Sequence, residues 1–172
     1  MFLRSPLPTD EAEIRAIDEQ FATEDFCFSL INDGESWAEY LQRLTQESRG
    51  ENLPADRVRA DFFLAQVDDQ IVGRLSIRYA LTDYLLKYGG HVGYAVRPEY
   101  RRRGYATHLL AEAVSRLHTC GIERVLVTCD DDNIPSAKTI ERCGGVLENI
   151  VRTPQGHLMR RYWINSSTPA HS

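Results

Sequence analysis

From residue 89 onward the sequence alternates strand, helix, strand, helix, and no other feature narrows the accessible architectures as much. Gly90 to Val96 reads as a strand broken off by Pro98. Tyr105 to Leu117 reads as a helix, because Ala106, Leu109, Leu110, Ala113 and Leu117 share one face and Gly121 supplies the stop. Val125 to Cys129 is an apolar strand of the buried kind, and a further helix is predicted from Asn133 through Ala137 and Ile140 to Gly144-Gly145. Val146 to Val151 and His157 to Ile164 close as a hairpin around Thr153-Pro154-Gln155-Gly156. This order excludes an all-helical chain.

The first half adds two helices and a hairpin. Thr9 or Asp10 with Glu13 marks a helix start, and Ile14, Ile17 and Phe21 form its apolar stripe. Trp37, Tyr40, Leu41 and Leu44 recur at helical spacing and predict a second helix ending near Gly50. Asp61 to Val67 and Ile71 to Tyr79 pair across Asp68-Asp69-Gln70. The expected fold is α+β: a single domain over residues 1–164, with a mixed, twisted sheet flanked by helices, then a frayed tail over residues 165–172. About six or seven strands are expected.

Composition removes several function classes. At 172 residues, 42% of them hydrophobic, the chain is neither a mini-protein nor disordered. Its net charge of -5 argues against a surface built for nucleic acid or acidic membranes. Cys27, Cys120, Cys129 and Cys143 lie too far apart for metal-ligand spacing, so no metal is expected, and four free thiols suit a reducing cytoplasm. No apolar window approaches bilayer length.

The chemistry concentrates between Gly93 and Ala106. A strand ends at a proline, a short loop carries Arg101, Arg102 and Arg103, and a helix opens beside the small residues Gly104 and Ala106. First-turn N–H groups, the helix dipole and adjacent guanidinium groups together make a site for a diphosphate. The same arginines, with Arg97, could form only a solvated basic patch. Neither a Gly-x-x-x-x-Gly-Lys-Ser/Thr loop nor a Gly-x-Gly-x-x-Gly turn occurs in the chain.

The run Tyr94-Ala95-Val96 followed by Arg101-x-x-Gly104-x-Ala106 resembles the acetyl-CoA signature of the GNAT N-acetyltransferases, Gln/Arg-x-x-Gly-x-Gly/Ala. Val125 to Cys129, Asn133-x-x-Ser136-Ala137 and Glu141-x-x-Gly144 resemble the second half of that family's cofactor core, so the likeness covers about residues 60 to 150. Gly89 to Tyr94 and Arg161 to Ile164 look like a bacterial branch of the family. The resemblance implies that the strands 90–96 and 125–129 are parallel and splayed, with the pantetheine arm between them. It further implies backbone contacts from Ala95 and Val96, a diphosphate held by Arg101, Arg102, Arg103, Gly104, Tyr105 and Ala106, and contacts to the distal arm from Asn133 and Ser136. The implied reaction is acetyl transfer from acetyl-CoA to a primary amine by direct attack in a ternary complex, and a homodimer is allowed.

One position departs from the pattern. Where many members carry a tyrosine that protonates the leaving thiolate, this chain has Ile140, which also fits a core position at helical spacing from Ala137. Protonation then falls to Tyr94 or water, and a catalytically silent acyl-CoA-binding module of the same fold is the alternative. His91 is the candidate base, or else a structural strand histidine. Asp130-Asp131-Asp132 either attracts a cation or caps the helix at Asn133; Cys129 lacks a neighbouring His in sequence and is a poor nucleophile. The acceptor is expected to be cationic, because Glu24, Asp25, Asp33, Glu35, Glu39 and Asp83 lie near Phe26, Phe28, Trp37, Tyr40 and Tyr84, although Trp37 and Tyr40 also fit a helix core.

Overall fold

The computed structural model describes residues 1–166. The expected tail lies outside the described residues from 167 onward, and its first residue, Asn165, ends a strand instead. In chain order the elements are β1 (Phe2–Arg4), α1 (Glu11–Phe21), α2 (Trp37–Arg49), β2 (Ala60–Val67), β3 (Gln70–Arg78), β4 (Val92–Val96), α3 (Tyr105–Thr119), β5 (Arg124–Asp130), α4 (Ile134–Arg142), β6 (Val146–Arg152) and β7 (Leu158–Asn165). The strands form one seven-stranded mixed sheet in the order β1-β2-β3-β4-β5-β7-β6. β4 pairs with β5 in parallel at Val92↔Val127, whereas β1 with β2, β5 with β7 and β6 with β7 run antiparallel.

The chain divides into two compact units, the first formed by Met1–Ser76 with Tyr94–Ala106 and the second by Ile77–Gly93 with the chain from Thr107 on. In the first unit the stripes read from sequence become the core: Ile14, Ile17 and Phe21 of α1 and Trp37 and Tyr40 of α2 pack with Phe28, Phe62, Leu64 and Ile71. Ser36 and Glu39 cap α2 reciprocally, and Gly50 ends it in the left-handed conformation. The turn between β2 and β3 places both Asp68 and Asp69 at positive φ, as a tight hairpin of right-handed twist requires.

β1 has no signal of its own in the sequence. It is three residues long and is held from outside: Leu3 pairs with Ala65, and the Arg4 guanidinium grips both carboxylate oxygens of Asp10 at 2.7 and 2.9 Å. That pairing holds the Asp10 carboxyl below its usual range.

In the second unit α3 buries Leu109, Leu110, Ala113, Val114 and Leu117, α4 buries Ala137, Thr139 and Ile140, and Val125 to Val127 fill β5. β4 is entered through Gly90, whose φ is +69° and whose missing side chain would otherwise stand 2.7 Å from the Leu126 carbonyl oxygen. The next residue, His91, donates its N–H to that carbonyl at 2.8 Å. Ahead of Gly90 lies an element that the sequence did not announce, a π-helical turn over Leu85–Gly89.

Candidate active site

The stretch from Tyr94 to Ala106 belongs to the first unit. Arg97 donates its N–H to the Val72 carbonyl of β3 at 2.9 Å. Backbone groups alternate sides along a strand, so Ala95 also turns its N–H and C=O to β3, while Tyr94 and Val96 turn theirs away. Of Ala95 and Val96, the two residues expected to offer backbone contacts, Val96 turns its groups away from β3, and Tyr94 does the same. The Val96 carbonyl already accepts from Arg101 Nε at 3.0 Å, which leaves the Val96 N–H as its outward donor.

After Val96 the chain turns through Pro98–Tyr100, and α3 starts at Tyr105. Between them Arg102 (φ +62°) and Gly104 (φ +85°) both adopt the left-handed conformation. Alternation of this kind turns successive backbone N–H groups toward one concave side, a shape suited to anions. The first-turn amides of α3, at Tyr105 and Ala106, have no acceptor within their own helix and add donors at the same place. A side chain at Gly104 would meet nothing within 4 Å, so the surface there is open to an approaching group.

The four arginines divide by role. Arg97 is a brace: it binds Gln20 at 3.1 Å, the Ile71 carbonyl at 2.9 Å and Glu99 at 2.8 Å. Arg101 points its Nη2 at Glu24, 2.9 Å away, and Arg103 donates to the Glu99 carbonyl at 3.3 Å. Arg102 is exposed and makes no hydrogen bond or ion pair among the described residues. Arg101, Arg102 and Arg103 thus form an exposed cationic loop, and Arg97 does not belong to it.

His91, Asn133 and Ser136 lie in the second unit. His91 is buried; its Nδ1 accepts the Leu126 N–H at 2.9 Å, and burial together with Arg78 pushes its pKa down to about 4. The imidazole is thus neutral, with the proton on Nε2, and has the structural place of a residue that ties β4 to β5. Asn133 caps α4 by accepting from the Ser136 N–H at 3.2 Å, and Asp131 pairs with Arg160 of β7 at 2.7 Å. Burial raises the Cys129 thiol to about 11, which makes it inert as a nucleophile. Ile140 is fully buried in the core.

The acidic and aromatic wall expected for the acceptor resolves differently. Glu24 is paired with Arg101, Glu35 with Arg43 at 2.7 Å, and Glu39 accepts the Ser36 N–H at 2.8 Å as part of the α2 cap. Phe28, Trp37 and Tyr40 are core, and the Tyr40 hydroxyl donates to the Ser29 carbonyl at 2.7 Å. Asp25, Asp33 and Asp83 of that set are exposed and have no ion-pair partner among the described residues, and of the three Asp83 stands next in sequence to an exposed ring, Tyr84. Three residues to which the sequence gives no role at this place, Arg78, Thr128 and Arg161, bind the backbone between Leu86 and Gly90. Nothing in the local sequence signals these bonds, since each joins side chain and carbonyl across 11 to 75 residues.

Among the described residues no group of three or more His, Cys, Asp or Glu is placed to hold a metal ion, and no helix is long and apolar enough to cross a membrane. Residues 16–145 match the model of the acetyltransferase (GNAT) family. Among curated proteins none matches the chain. Among solved structures, RimJ of Mycobacterium smegmatis in complex with a CoA-disulfide superposes with a TM-score of 0.73 at 19% identity, covering 99% of this chain and 84% of that one. The microcin self-immunity acetyltransferase MccE, in complex with acetyl-CoA and AMP, gives a TM-score of 0.69 at 17% identity over 95% of this chain and 91% of that one. An acetyltransferase of Salmonella typhimurium that modifies the N-terminal serine of a ribosomal protein gives 0.70 at 16% identity over 96% and 94%.

Proposed function

We propose, from the premise that the chain belongs to the acetyltransferase (GNAT) family, that it moves an acetyl group from acetyl-CoA to a primary amine by direct attack in a ternary complex. The observation that carries this reading is the loop from Arg101 to Ala106, where two left-handed residues, a helix start and three exposed guanidinium groups share one short segment. These groups fit a diphosphate by charge and by donor chemistry. The Val96 N–H is the donor assigned to the pantetheine arm or to the thioester oxygen, where it would stabilise the oxyanion that forms on attack. Asn133 keeps its side-chain NH2 for the distal arm, because its cap uses the carbonyl oxygen, and Ser136 stands one turn further on.

In the reaction the neutral amine nitrogen attacks the thioester carbon and gives up one of its protons to water, the C–S bond breaks, and CoA leaves as a thiolate that takes a proton from Tyr94 or water. The ammonium form must first lose a proton. His91 is poorly suited to take it, with Nδ1 engaged and its basicity lowered, so water is assigned that role. Four free cysteines fit a reducing compartment such as the cytoplasm.

A silent acyl-CoA-binding module is the second reading, favoured by the buried Ile140 and the weakly basic His91. Calorimetry with CoA, run beside a thiol-release assay on a panel of amines, separates the two. Binding with turnover is the expected result. Binding without turnover on any amine would leave the module, and no binding would remove both.

A further inference from the structure

The segment between β3 and β4 combines a firmly held backbone with exposed side chains. The Leu86 carbonyl accepts from Arg161 Nε and Nη2 at 3.1 and 2.8 Å, and the Tyr88 carbonyl accepts from the Thr128 hydroxyl at 2.8 Å. The carbonyls of Gly89 and Gly90 both accept from Arg78 Nη1, at 3.2 and 3.1 Å. Thr82 starts the turn by accepting the Leu85 N–H on its hydroxyl and the Leu86 N–H on its carbonyl. Four consecutive-turn carbonyls captured by buried or part-buried donors fix this stretch against β5 and β7.

Asp83, Tyr84, Leu86 and Lys87 meanwhile face outward, and Tyr88 is half-buried. Tyr84 is 55% exposed and Leu86 42%, and the rings of Tyr84 and Tyr88 meet edge to face with centroids 5.2 Å apart. Asp83 stands beside Tyr84, exposed and without an ion-pair partner among the described residues; Lys87 follows one turn later. Rigid backbone with solvent-facing aromatic groups is what a binding surface needs, because the ordering cost is met before the ligand arrives. An unpaired carboxylate beside tyrosine rings complements an ammonium group electrostatically, both by charge and through the ring faces.

We propose that Thr82–Gly90 is the acceptor platform, on which Asp83 attracts an ammonium-bearing acceptor and Tyr84 and Tyr88 pack against the carbon atoms next to its amine. This deepens the acetyl-transfer reading and rests on it. It also places the cationic selectivity on Asp83, a carboxylate next to an exposed ring, whereas Glu24, Glu35 and Glu39 of the first unit are taken up by the protein's own cations and caps.

The test uses the full chain with acetyl-CoA and three amines: tyramine, spermidine and a hexapeptide with a free N-terminal serine. For the amine that wild type acetylates best, Tyr84→Ala and Asp83→Asn should each raise the acceptor KM about tenfold with kcat within about twofold. Tyr84→Phe should restore the wild-type KM, and the affinity for CoA should stay unchanged in all three variants. Wild-type KM in both Tyr84→Ala and Asp83→Asn would overturn the platform while leaving the transfer reading intact. If wild type acetylates none of the three, the transfer reading fails for them, and NMR titration of the acetyl-CoA complex with the same amines decides the platform. Shifts of the Tyr84 and Tyr88 ring signals support it, and unmoved ring signals overturn it.

Discussion

After β4 the backbone from Arg101 to Ala106 is shaped from within, by the left-handed Arg102 and Gly104 and by the start of α3. Before β4 the backbone from Thr82 to Gly90 is shaped from without, by Arg78, Thr128 and Arg161 reaching in from other strands. The first stretch leaves its N–H groups and guanidiniums outward and so presents charge. The second buries its carbonyl partners and presents rings. The contrast teaches that the two flanks of one strand can be held rigid by unrelated means, and each can be broken separately.

The largest effect on cofactor binding is expected at Gly104. Gly104→Val forces a β-branched residue into φ +85°, which costs about 1–2 kcal/mol locally, and it sets a side chain where the phosphates approach. Acetyl-CoA binding measured by calorimetry should weaken by at least about a hundredfold, or about 2.7 kcal/mol, with the fold retained by circular dichroism. Unchanged affinity would take the diphosphate away from this loop.

Next is the pH response of His91, which ends the stretch before β4. Its pKa in the folded chain is about 4, against 6.5 for the unfolded residue. Above about pH 6.5 both states are neutral there and the contribution is fully present. As the pH falls toward 4 the unfolded chain takes up a proton that the folded one refuses, so stability drops, by about 3 kcal/mol in all. Urea unfolding from pH 7 to 4 should show this loss, and His91→Gln should flatten that part of the curve.

Arg161→Met should then separate the two stretches cleanly. It removes both donors from the Leu86 carbonyl and leaves Glu148 and Asn149 without their shared partner. A loss of about 2 kcal/mol in urea unfolding is expected, with faster hydrogen exchange between residues 85 and 90 and no change in CoA affinity. Equal exchange rates in that segment would show that it holds its own shape.

The smallest effect is expected at Glu24, whose carboxylate occupies Arg101 across an exposed ion pair. Glu24→Gln releases the guanidinium for a phosphate, and CoA should bind about two- to fivefold more tightly at low salt, the gain fading as salt is raised. Equal affinity at every ionic strength would mean that Arg101 stays on Glu24 when CoA is bound.

Much of the fold was legible because it is written in local patterns. The stripe of Ile14, Ile17 and Phe21, the spacing of Trp37, Tyr40, Leu41 and Leu44, and the Asp68-Asp69 turn each specify an element within a dozen residues. The backbone of the loop before α3 was legible for the same reason, since Gly104 and the helix start at Tyr105 are neighbours in sequence. Individual roles were less legible. Among four arginines of like charge, the sequence does not distinguish Arg97, which braces β3 through Ile71, from Arg102, which faces solvent. The carboxylates of Glu24, Glu35 and Glu39 were read as a wall for the acceptor, and only their partners show them to be occupied.

The sequence by itself determined the order of helices and strands, the position of the arginine-bearing loop before α3 and the burial of Ile140, because periodicity, capping and backbone conformation act over a few residues. The tertiary structure alone decided β1, the neutral state of His91 and the turn from Leu85 to Gly89. Each of these depends on hydrogen bonds or desolvation from residues far away in the chain: Gln66 for β1, Leu126 for His91, and Arg161 for Leu86. A strand of three residues, a titrating ring and a single π-helical turn have no stability of their own, so their state is set by whatever the fold brings against them.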